Sequence, residues 1–337
     1  MTEITGFAAM EQGGALQEWK YIAKKVGDND VRLKIECCGI CHSDVHQVDN
    51  GWGGSSFPMI PGHEVIGVVV EKGKNASLEL GTRVGVGPQA GACFDCDMCK
   101  AGDESYCPKA IFSYNSKDYE GNPTYGGYAD GIVVDYRFAF PIPENLNSID
   151  CAPLLCAGLT VYAPFDDFGI KGKRVGVVGV GGLGHLALQF ANKMGAAEVV
   201  AISSTENKKE LAMQLGATKF IASKERDQMK AAASSIDFLL SCAAFDLDWD
   251  GLLGLLAPKG VLHLVGAPES KFSVSFFRVL GGKKSISGSM IGSIKQTKDM
   301  LQFAADHNVK AMISEVAPMK EANKHLQTCR EGKARFR

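Results

Sequence analysis

The stretch "RVGVVGVGGLG", residues 174–184, decides the fold of this chain. Its valines predict a buried β-strand, and its glycines follow the order G-x-G-x-x-G just before a segment with helical periodicity. In that context the first glycine allows a tight turn, the second lets the backbone approach a pyrophosphate, and the third lets helix pack on strand. The expected dinucleotide contacts are Gly179, Gly181, Gly182, Leu183 and Gly184.

Strands and helices alternate downstream of this motif. The apolar runs "EVVAIS", "FIAS", "IDFLLSC" and "GVLHLVGA" predict strands, and two segments with helical spacing predict helices that end at Gly195 and Gly216. The alternation is typical of an α/β domain with a doubly wound parallel sheet, the Rossmann arrangement, which we place at residues 157–292.

The remainder of the chain has a different texture. Residues 1–156 are rich in glycine and proline and carry short β-like runs such as "VIGVVVEKG", which predicts an irregular β-rich domain. In segment 293–337 we predict one helix, "TKDMLQFAADHN", followed by a short mixed tail, and we expect the segment to return to the first domain.

The composition gives no sign of nucleic-acid or membrane binding. The 337 residues, 45% apolar and 22% charged, are typical of a soluble globular protein. A net charge of −2 gives no general attraction to nucleic acid or anionic membranes. No apolar run approaches the ~20 residues of a membrane span, and no secretory signal is visible. We therefore expect a cytoplasmic protein without nucleic-acid or membrane partners.

Eleven cysteines without a secretory signal indicate a reducing compartment, where clustered cysteines are more often metal ligands than disulfides. Four of them lie in "CFDCDMCKAGDESYC", within the loop 91–108. Four thiolates close a tetrahedral shell around zinc, which predicts a structural site, with a redox or iron–sulfur role as the alternative. The predicted ligands are Cys93, Cys96, Cys99 and Cys107.

A second candidate set is dispersed along the chain. It consists of Cys41 in "CGICHSDVH", His63 in "PGHE" and Cys156 in "PLLCAGLTVY". Two thiolates and one imidazole with one vacancy form a known catalytic zinc shell. Because the three residues span 115 positions, their spacing alone does not reveal a site.

The residues after the second Rossmann strand concern the choice of cofactor. An NAD site usually places a carboxylate there to bind the ribose 2′-hydroxyl. This chain has Ser203, Ser204, Lys208 and Lys209, whose hydroxyl and ammonium groups suit a 2′-phosphate. Glu206 works against this interpretation if it turns inward, and the alternative for the lysines is a solvated helix start.

These motifs, in this order, resemble the zinc-dependent medium-chain alcohol dehydrogenases. Within that superfamily, "YCPKAIFSYN", "GGYAD", "PLLCAGLTVY", "AISST" and "GSMIGS" resemble the cinnamyl alcohol dehydrogenase branch. The resemblance covers nearly the whole chain and implies a GroES-like fold for the β-rich domain. Members of the family usually continue into a final strand beyond "EGKARFR", so loss of an edge in the catalytic domain is expected if that strand is absent.

The resemblance also implies a role for individual residues. Cys41, His63 and Cys156 would bind the catalytic zinc, and Glu64 would coordinate it transiently. Ser43 would bond the substrate oxygen, His46 would pass its proton to solvent, and Asp44 would orient His63. The remaining residues implied are His42 at the cofactor pyrophosphate, Thr160 at the nicotinamide, and Trp52 and Phe112 in the substrate pocket, where Phe112 replaces a larger aromatic residue.

The resulting expectation is an NADP(H)-dependent zinc alcohol dehydrogenase (EC 1.1.1.-) that interconverts aldehydes and primary alcohols, with aromatic or allylic substrates favoured. Two zinc ions per chain and a homodimer are expected with it. One alternative is a reductase of C=C or C=N bonds on the same fold. A more distant alternative is a non-catalytic binding protein stabilised by zinc.

Overall fold

The computed structural model describes residues 2–268 and 271–337. Within them the chain divides into two compact units. The first comprises the residues up to Cys156 together with Ser293–Arg335 and Arg337, and the second comprises Ala157–Gly292 with Phe336. We refer to them as the β-rich unit and the α/β unit.

Short strands dominate the β-rich unit, whereas longer helices alternate with strands in the α/β unit. The strands are β1 (Glu3–Ala9), β2 (Leu16–Ile22), β3 (Asp30–Cys38), β4 (Val65–Lys72), β5 (Arg83–Val86), β6 (Gln89–Gly91), β7 (Ile111–Phe112), β8 (Gly131–Asp135), β9 (Phe140–Pro141), β10 (Arg174–Val178), β11 (Glu198–Ser203), β12 (Lys219–Ala222), β13 (Ile236–Ser241), β14 (Leu256–Leu264) and β15 (Ser285–Gly288). The α-helices are α1 (His42–Val48), α2 (Asp97–Ala101), α3 (Ser148–Cys151), α4 (Ala157–Phe168), α5 (Gly184–Lys193), α6 (Lys209–Gln214), α7 (Arg226–Ala231), α8 (Trp249–Leu255), α9 (Phe276–Leu280), α10 (Ile294–His307) and α11 (Ala322–Arg330).

The α/β unit contains a six-stranded sheet in the order β12-β11-β10-β13-β14-β15, and every neighbouring pair is parallel. Counted from β10, this is the order 3-2-1-4-5-6 of a Rossmann fold. Because a parallel sheet is covered by helices on both faces, its strands are almost continuously apolar, as the four buried residues that end β10 illustrate. The α/β, doubly wound prediction is confirmed.

The β-rich unit contains a five-stranded antiparallel sheet in the order β8-β3-β4-β5-β9, the hairpin β1-β2 and the short pair β6-β7. Helix α1 is fixed to this unit by its apolar face, because Val45 and Val48 share a buried cluster with Leu326 of α11. Arg330 of α11 also donates two hydrogen bonds of 2.7 Å to the Asp49 carboxylate, at the end of α1.

The expectation of a single helix after residue 292 is wrong, because α11 follows α10. Helix α11 reads "ANKHLQTCR" and buries only Ala322, Leu326 and Cys329. These three residues recur at spacings of four and three, which is one narrow helical stripe. The polar residues between them gave the segment the appearance of a loop.

None of the helices in the described part of the chain is, by itself, long and apolar enough to cross a membrane. One bent pair of short helical segments meets the same criterion by length and composition only.

Candidate active site

The four cysteines of the predicted structural zinc loop converge. The sulfur atoms of Cys93, Cys96, Cys99 and Cys107 all lie within 4.8 Å of one another, with Cys93 3.5 Å from Cys107 and 3.9 Å from Cys99. Zinc–sulfur bonds of about 2.3 Å in a tetrahedron separate the sulfurs by about 3.8 Å, so the spacing fits zinc. Backbone hydrogen bonds from Asp95 and Cys96 lower the pKa of the Cys93 thiol to about 6, which favours the metal-binding thiolate.

The dispersed set converges as well. The ligand atoms of Cys41, His63, Glu64 and Cys156 lie within 4.8 Å of one another, and the two sulfur atoms are 4.0 Å apart. Cys41 precedes α1, His63 and Glu64 precede β4, and Cys156 follows a 3-10 turn. The hydrogen bond from Cys156 and the neighbouring His63 lower the pKa of the Cys41 thiol well below its usual value, although burial opposes this. Two sulfurs, one imidazole nitrogen and one carboxylate are ligands that zinc prefers.

The Asp44 side chain contacts two of these ligand residues, His63 and Cys41. Its carboxylate is fully buried and lies 3.1 Å from His63 Nδ1, and it accepts a 2.9 Å hydrogen bond from the Cys41 backbone N–H. A carboxylate only accepts hydrogen bonds, so Nδ1 of His63 carries the proton and Nε2 keeps the lone pair that a metal would use. Gly62 N–H donates to the same carboxylate at 3.0 Å, from a left-handed backbone (φ +104°) that leaves no room for a side chain beside Tyr128.

Two buried tyrosines, which the sequence reasoning missed, complete the shell of Asp44. The phenol oxygens of Tyr114 and Tyr128 lie 2.8 and 3.1 Å from its carboxylate oxygens. Burial, with the nearby Asp44 charge, raises the pKa of both phenols well above the usual value, so both hydroxyls stay protonated and donate. The only signal in the sequence is their position inside "YCPKAIFSYN" and "GGYAD", which spacing does not connect to Asp44.

Arg337 is a third site residue that the sequence reasoning missed. Its guanidinium, nearly inaccessible to water, pairs with Oε1 of the buried Glu64. Burial raises the pKa of Glu64 to about 7, although the Arg337 charge opposes that rise. The other carboxylate oxygen, Oε2, has no hydrogen-bond partner among the described residues. A buried carboxylate oxygen without a partner, beside two sulfurs and an imidazole, fits a site made for a cation.

Helix α1 carries the predicted proton-transfer residues. Ser43 Oγ is 3.5 Å from Cys41 Sγ, at the edge of the ligand cluster. The His46 ring stacks on the half-exposed Trp52 ring, with centroids 4.6 Å apart, and lies 4.9 Å from the His42 ring. Ser43 and His46 are three residues apart and therefore share one face of the helix.

Three further residues were expected near the cofactor or the substrate, namely His42, Phe112 and Thr160. His42 Nδ1 faces Cys329 Sγ of α11 at 3.7 Å. Phe112 lies in β7, paired with Gln89, and is 38% exposed. Thr160 of α4 is buried, and its hydroxyl donates to the Met290 carbonyl at 3.2 Å.

The glycine loop lies at the carboxyl end of the central strand β10 and leads directly into α5. This position, where the strand order reverses direction, is where Rossmann folds bind dinucleotides. Gly179 has a left-handed backbone (φ +87°), and a Cβ on Gly184 would lie 1.8 Å from the Gly179 carbonyl oxygen. Among the described residues, apart from its chain neighbours, no atom lies within 4 Å of a Cβ built on Gly181, so its backbone is open to a ligand.

The two lysines beyond β11 have different partners, and the two serines lie at the end of the strand. Lys208 donates a 2.8 Å hydrogen bond to the Val180 carbonyl, which holds its ammonium group at the glycine loop. Ser203 ends β11 and Ser204 follows it, exposed. Lys209 instead lies 3.9 Å from the Glu206 carboxylate.

Comparison with known proteins identifies the family. Residues 27–144 match the alcohol dehydrogenase GroES-like domain, and residues 182–306 match the zinc-binding dehydrogenase domain. The chain is 42% identical to a probable mannitol dehydrogenase of Fragaria ananassa over 99% of its own length and 94% of the relative's.

Two solved structures are similar throughout. One is a cinnamyl alcohol dehydrogenase of Sorghum bicolor, with a TM-score of 0.95 and 38% identity over 99% of this chain and 96% of that one. The other is the cinnamyl alcohol dehydrogenase of Helicobacter pylori complexed with NADP(H), with a TM-score of 0.92 and 35% identity over 99% and 96%. The chain therefore belongs to the zinc-dependent medium-chain alcohol dehydrogenases, in the cinnamyl alcohol dehydrogenase branch.

Proposed function

We propose that this alcohol dehydrogenase uses NADP(H) to interconvert aldehydes and primary alcohols, with aromatic or allylic substrates of the cinnamyl type favoured. The observation that carries the proposal is the buried convergence of Cys41, His63 and Cys156, with Ser43 at its edge. Three ligands with an open fourth position are typical of catalytic zinc, whereas the four-cysteine loop holds a second, structural zinc.

The chain's own residues prepare the site for carbonyl reduction. When bound, zinc acts as a Lewis acid toward the substrate oxygen and NADPH supplies the hydride. Cys41, His63 and Cys156 would hold the metal in a buried site, where charge interactions are less screened than in water. Glu64, whose second oxygen has no partner among the described residues, would offer the metal a further ligand when substrate or product leaves.

The product alkoxide needs a proton, and helix α1 supplies the route. The Ser43 hydroxyl donates to the substrate oxygen and is replenished by the imidazole of His46. His46 suits this role because one ring nitrogen of an imidazole can donate a proton while the other accepts one. Its contact with the half-exposed Trp52 ring places it on the solvent side of the helix.

NADP(H) is favoured by the groups beyond β11. The Lys208 ammonium, held at the glycine loop by Val180, retains two N–H donors for a 2′-phosphate. Ser203 and Ser204 add two hydroxyls. The Glu206 carboxylate, which would oppose a phosphate, accepts a hydrogen bond from Gln228 and pairs with Lys209. NADP(H) in the Helicobacter pylori relative is consistent with this assignment. His42 and Thr160 would contact the pyrophosphate and the nicotinamide.

Two exposed aromatic rings bear on the substrate preference. Trp52 and Phe112 offer apolar ring surface that is 46% and 38% exposed, which suits an aromatic or allylic substrate better than a polyol. The relatives are named for both cinnamyl alcohol and mannitol, so a substrate panel is required.

We further propose a homodimer formed through the α/β unit. Strand β15 is one edge of the parallel sheet, and an edge strand is a template for pairing with a second chain. Next to it in sequence, the side chains of Phe276, Phe277 and Leu280 are 84%, 85% and 69% exposed. Large exposed apolar side chains on one short helix indicate an interaction surface.

One experiment tests the proposed reaction. The purified protein is given cinnamaldehyde, an aliphatic aldehyde and the ketose or aldose partner of mannitol, each with NADPH and with NADH, and products are identified. We expect cinnamyl alcohol from cinnamaldehyde with NADPH as the fastest reaction. Recovery of the saturated aldehyde would instead identify a C=C reductase, and binding of NADPH without any product would refute catalysis.

A further inference from the structure

We propose that Tyr114 and Tyr128 are positioning residues for the catalytic metal, because their two phenols hold the Asp44 carboxylate that in turn aligns His63 and Cys41. The inference rests on the metal site of the proposed function. It extends that site outward by one layer, to residues that do not touch substrate, cofactor or metal.

The Asp44 carboxylate accepts hydrogen bonds from five groups. Its Oδ1 faces Tyr114 OH at 2.8 Å, Gly62 N at 3.0 Å and His63 Nδ1 at 3.1 Å. Its Oδ2 faces Cys41 N at 2.9 Å and Tyr128 OH at 3.1 Å. All five groups direct a hydrogen-bond donor at the carboxylate, which accepts through both of its oxygens. No part of Asp44 is exposed, so its carboxylate depends on these protein donors and not on bulk water.

Tyr114 is held in place by hydrogen bonds of the residues on both sides of it. The preceding Ser113 hydroxyl donates to the Gly87 carbonyl at 2.5 Å. The following Asn115 donates to the Gln47 side chain at 2.6 Å and accepts from the Ser56 N–H at 2.9 Å. The short segment "SYN" therefore ties the chain that leaves the cysteine loop to α1 and its neighbouring loop, and aims one phenol at Asp44.

Tyr128 is fixed just as firmly. Its backbone N–H donates to the Pro61 carbonyl at 3.0 Å, and its carbonyl accepts from the Phe7 N–H at 2.8 Å. The side chain is 1% exposed, and its ring packs against Gly62, immediately before His63. A displaced Tyr128 would therefore disturb both the carboxylate and the backbone that carries the ligand.

The consequence concerns metal affinity and the chemical step. Partners that orient a metal ligand typically contribute about 10- to 100-fold in metal affinity or activity. Loss of both phenols leaves the carboxylate with three of its five donors, which weakens the anchor that the His63 ring and the Cys41 backbone share. We expect faster release of the catalytic zinc and a lower kcat, with no change in the KM for NADPH.

The test is zinc release from the holoenzyme into a colorimetric chelator, for the wild type, Tyr114→Phe, Tyr128→Phe and the double variant. Cys156→Ser, which lacks a ligand, identifies the phase that belongs to the catalytic zinc. Tyr119→Phe is the matched control, because Tyr119 is 61% exposed and its hydroxyl bonds the Lys109 carbonyl, not Asp44. We expect the catalytic phase to accelerate about 10- to 100-fold in the double variant while the four-cysteine phase and the control stay unchanged.

The rates of zinc release distinguish a positioning role of the tyrosines from general destabilisation and from a wrong metal site. A catalytic phase within twofold of wild type in folded variants overturns the inference, as does equal acceleration of both phases, which would indicate general destabilisation. If the double variant does not fold, the single variants decide by the same criterion. A wild type that releases a single zinc would instead refute the proposed metal site, independently of the tyrosines.

Discussion

Ser204→Asp should reverse the cofactor preference, because it places a carboxylate where a 2′-phosphate is proposed to bind. In the wild type the phosphate gains one charge-assisted bond from Lys208, held 2.8 Å from the Val180 carbonyl, and up to two from Ser203 and Ser204. Such bonds contribute about 1.5–3 kcal/mol each, and ~1.4 kcal/mol is tenfold in affinity. Wild-type kcat/KM should therefore favour NADPH over NADH by about 100-fold or more.

The substitution changes this balance in two ways. It removes one hydroxyl donor and adds a like charge, and two charges about 6 Å apart at an effective dielectric constant of about 20 repel by roughly 3 kcal/mol. Ser204 is exposed, so solvent reduces that repulsion, but ~2 kcal/mol together with the lost bond still removes the preference for NADPH. The new carboxylate also binds the ribose hydroxyls of NADH.

The assay compares kcat/KM for both cofactors in the wild type, Ser204→Asp and Ser204→Ala. The alanine variant is the matched control, because it removes the hydroxyl without adding charge and should weaken the use of NADPH without improving the use of NADH. A wild-type enzyme that uses NADH as well as NADPH would show that the lysines are only a solvated helix start.

Four further outcomes are expected. Cys99→Ser should lower Tm and soluble yield, since structural zinc contributes directly to folding; a wild-type Tm with one zinc lost would contradict this. His46→Gln should slow aldehyde reduction roughly 10- to 1,000-fold, and unchanged rates from pH 6 to 9 would remove His46 from the mechanism. Burial lowers the pKa of His263 to about 4, so the unfolded chain binds a proton below pH ~6.5 that the native chain does not. The free energy of unfolding should therefore fall by up to roughly 3 kcal/mol between pH 6.5 and 4, as measured by unfolding in denaturant. An equal fall in His263→Gln would exclude His263 as its cause. Phe277→Asp should yield a monomer by light scattering, whereas a persistent dimer would refute the proposed interface.

The sequence predicts the α/β unit well for a physical reason. Buried parallel strands must be apolar throughout, and the turn from β10 into α5 admits only glycine at Gly184, so both leave a local signature. Helix α11 has no such local signature, because only three of its residues are buried and the residues between them are mostly polar.

The site was predictable only in part. The four-cysteine loop is local and its spacing suffices, whereas Cys41, His63 and Cys156 could be associated only through resemblance to a family. The contacts of Tyr114, Tyr128 and Arg337 arise from tertiary folding over 70, 84 and 273 positions, which no periodicity encodes. Burial, not spacing, makes these residues part of the site.

The most direct test of the central claim is zinc analysis combined with turnover, on freshly purified wild type and on Cys156→Ser. The ligand sets predict two zinc ions per chain in the active wild type. The variant should keep one zinc and its fold, by circular dichroism, but lose NADPH-dependent aldehyde reduction. One zinc per chain in fully active wild type, or undiminished turnover in Cys156→Ser, would contradict catalysis at the Cys41–His63–Cys156 site.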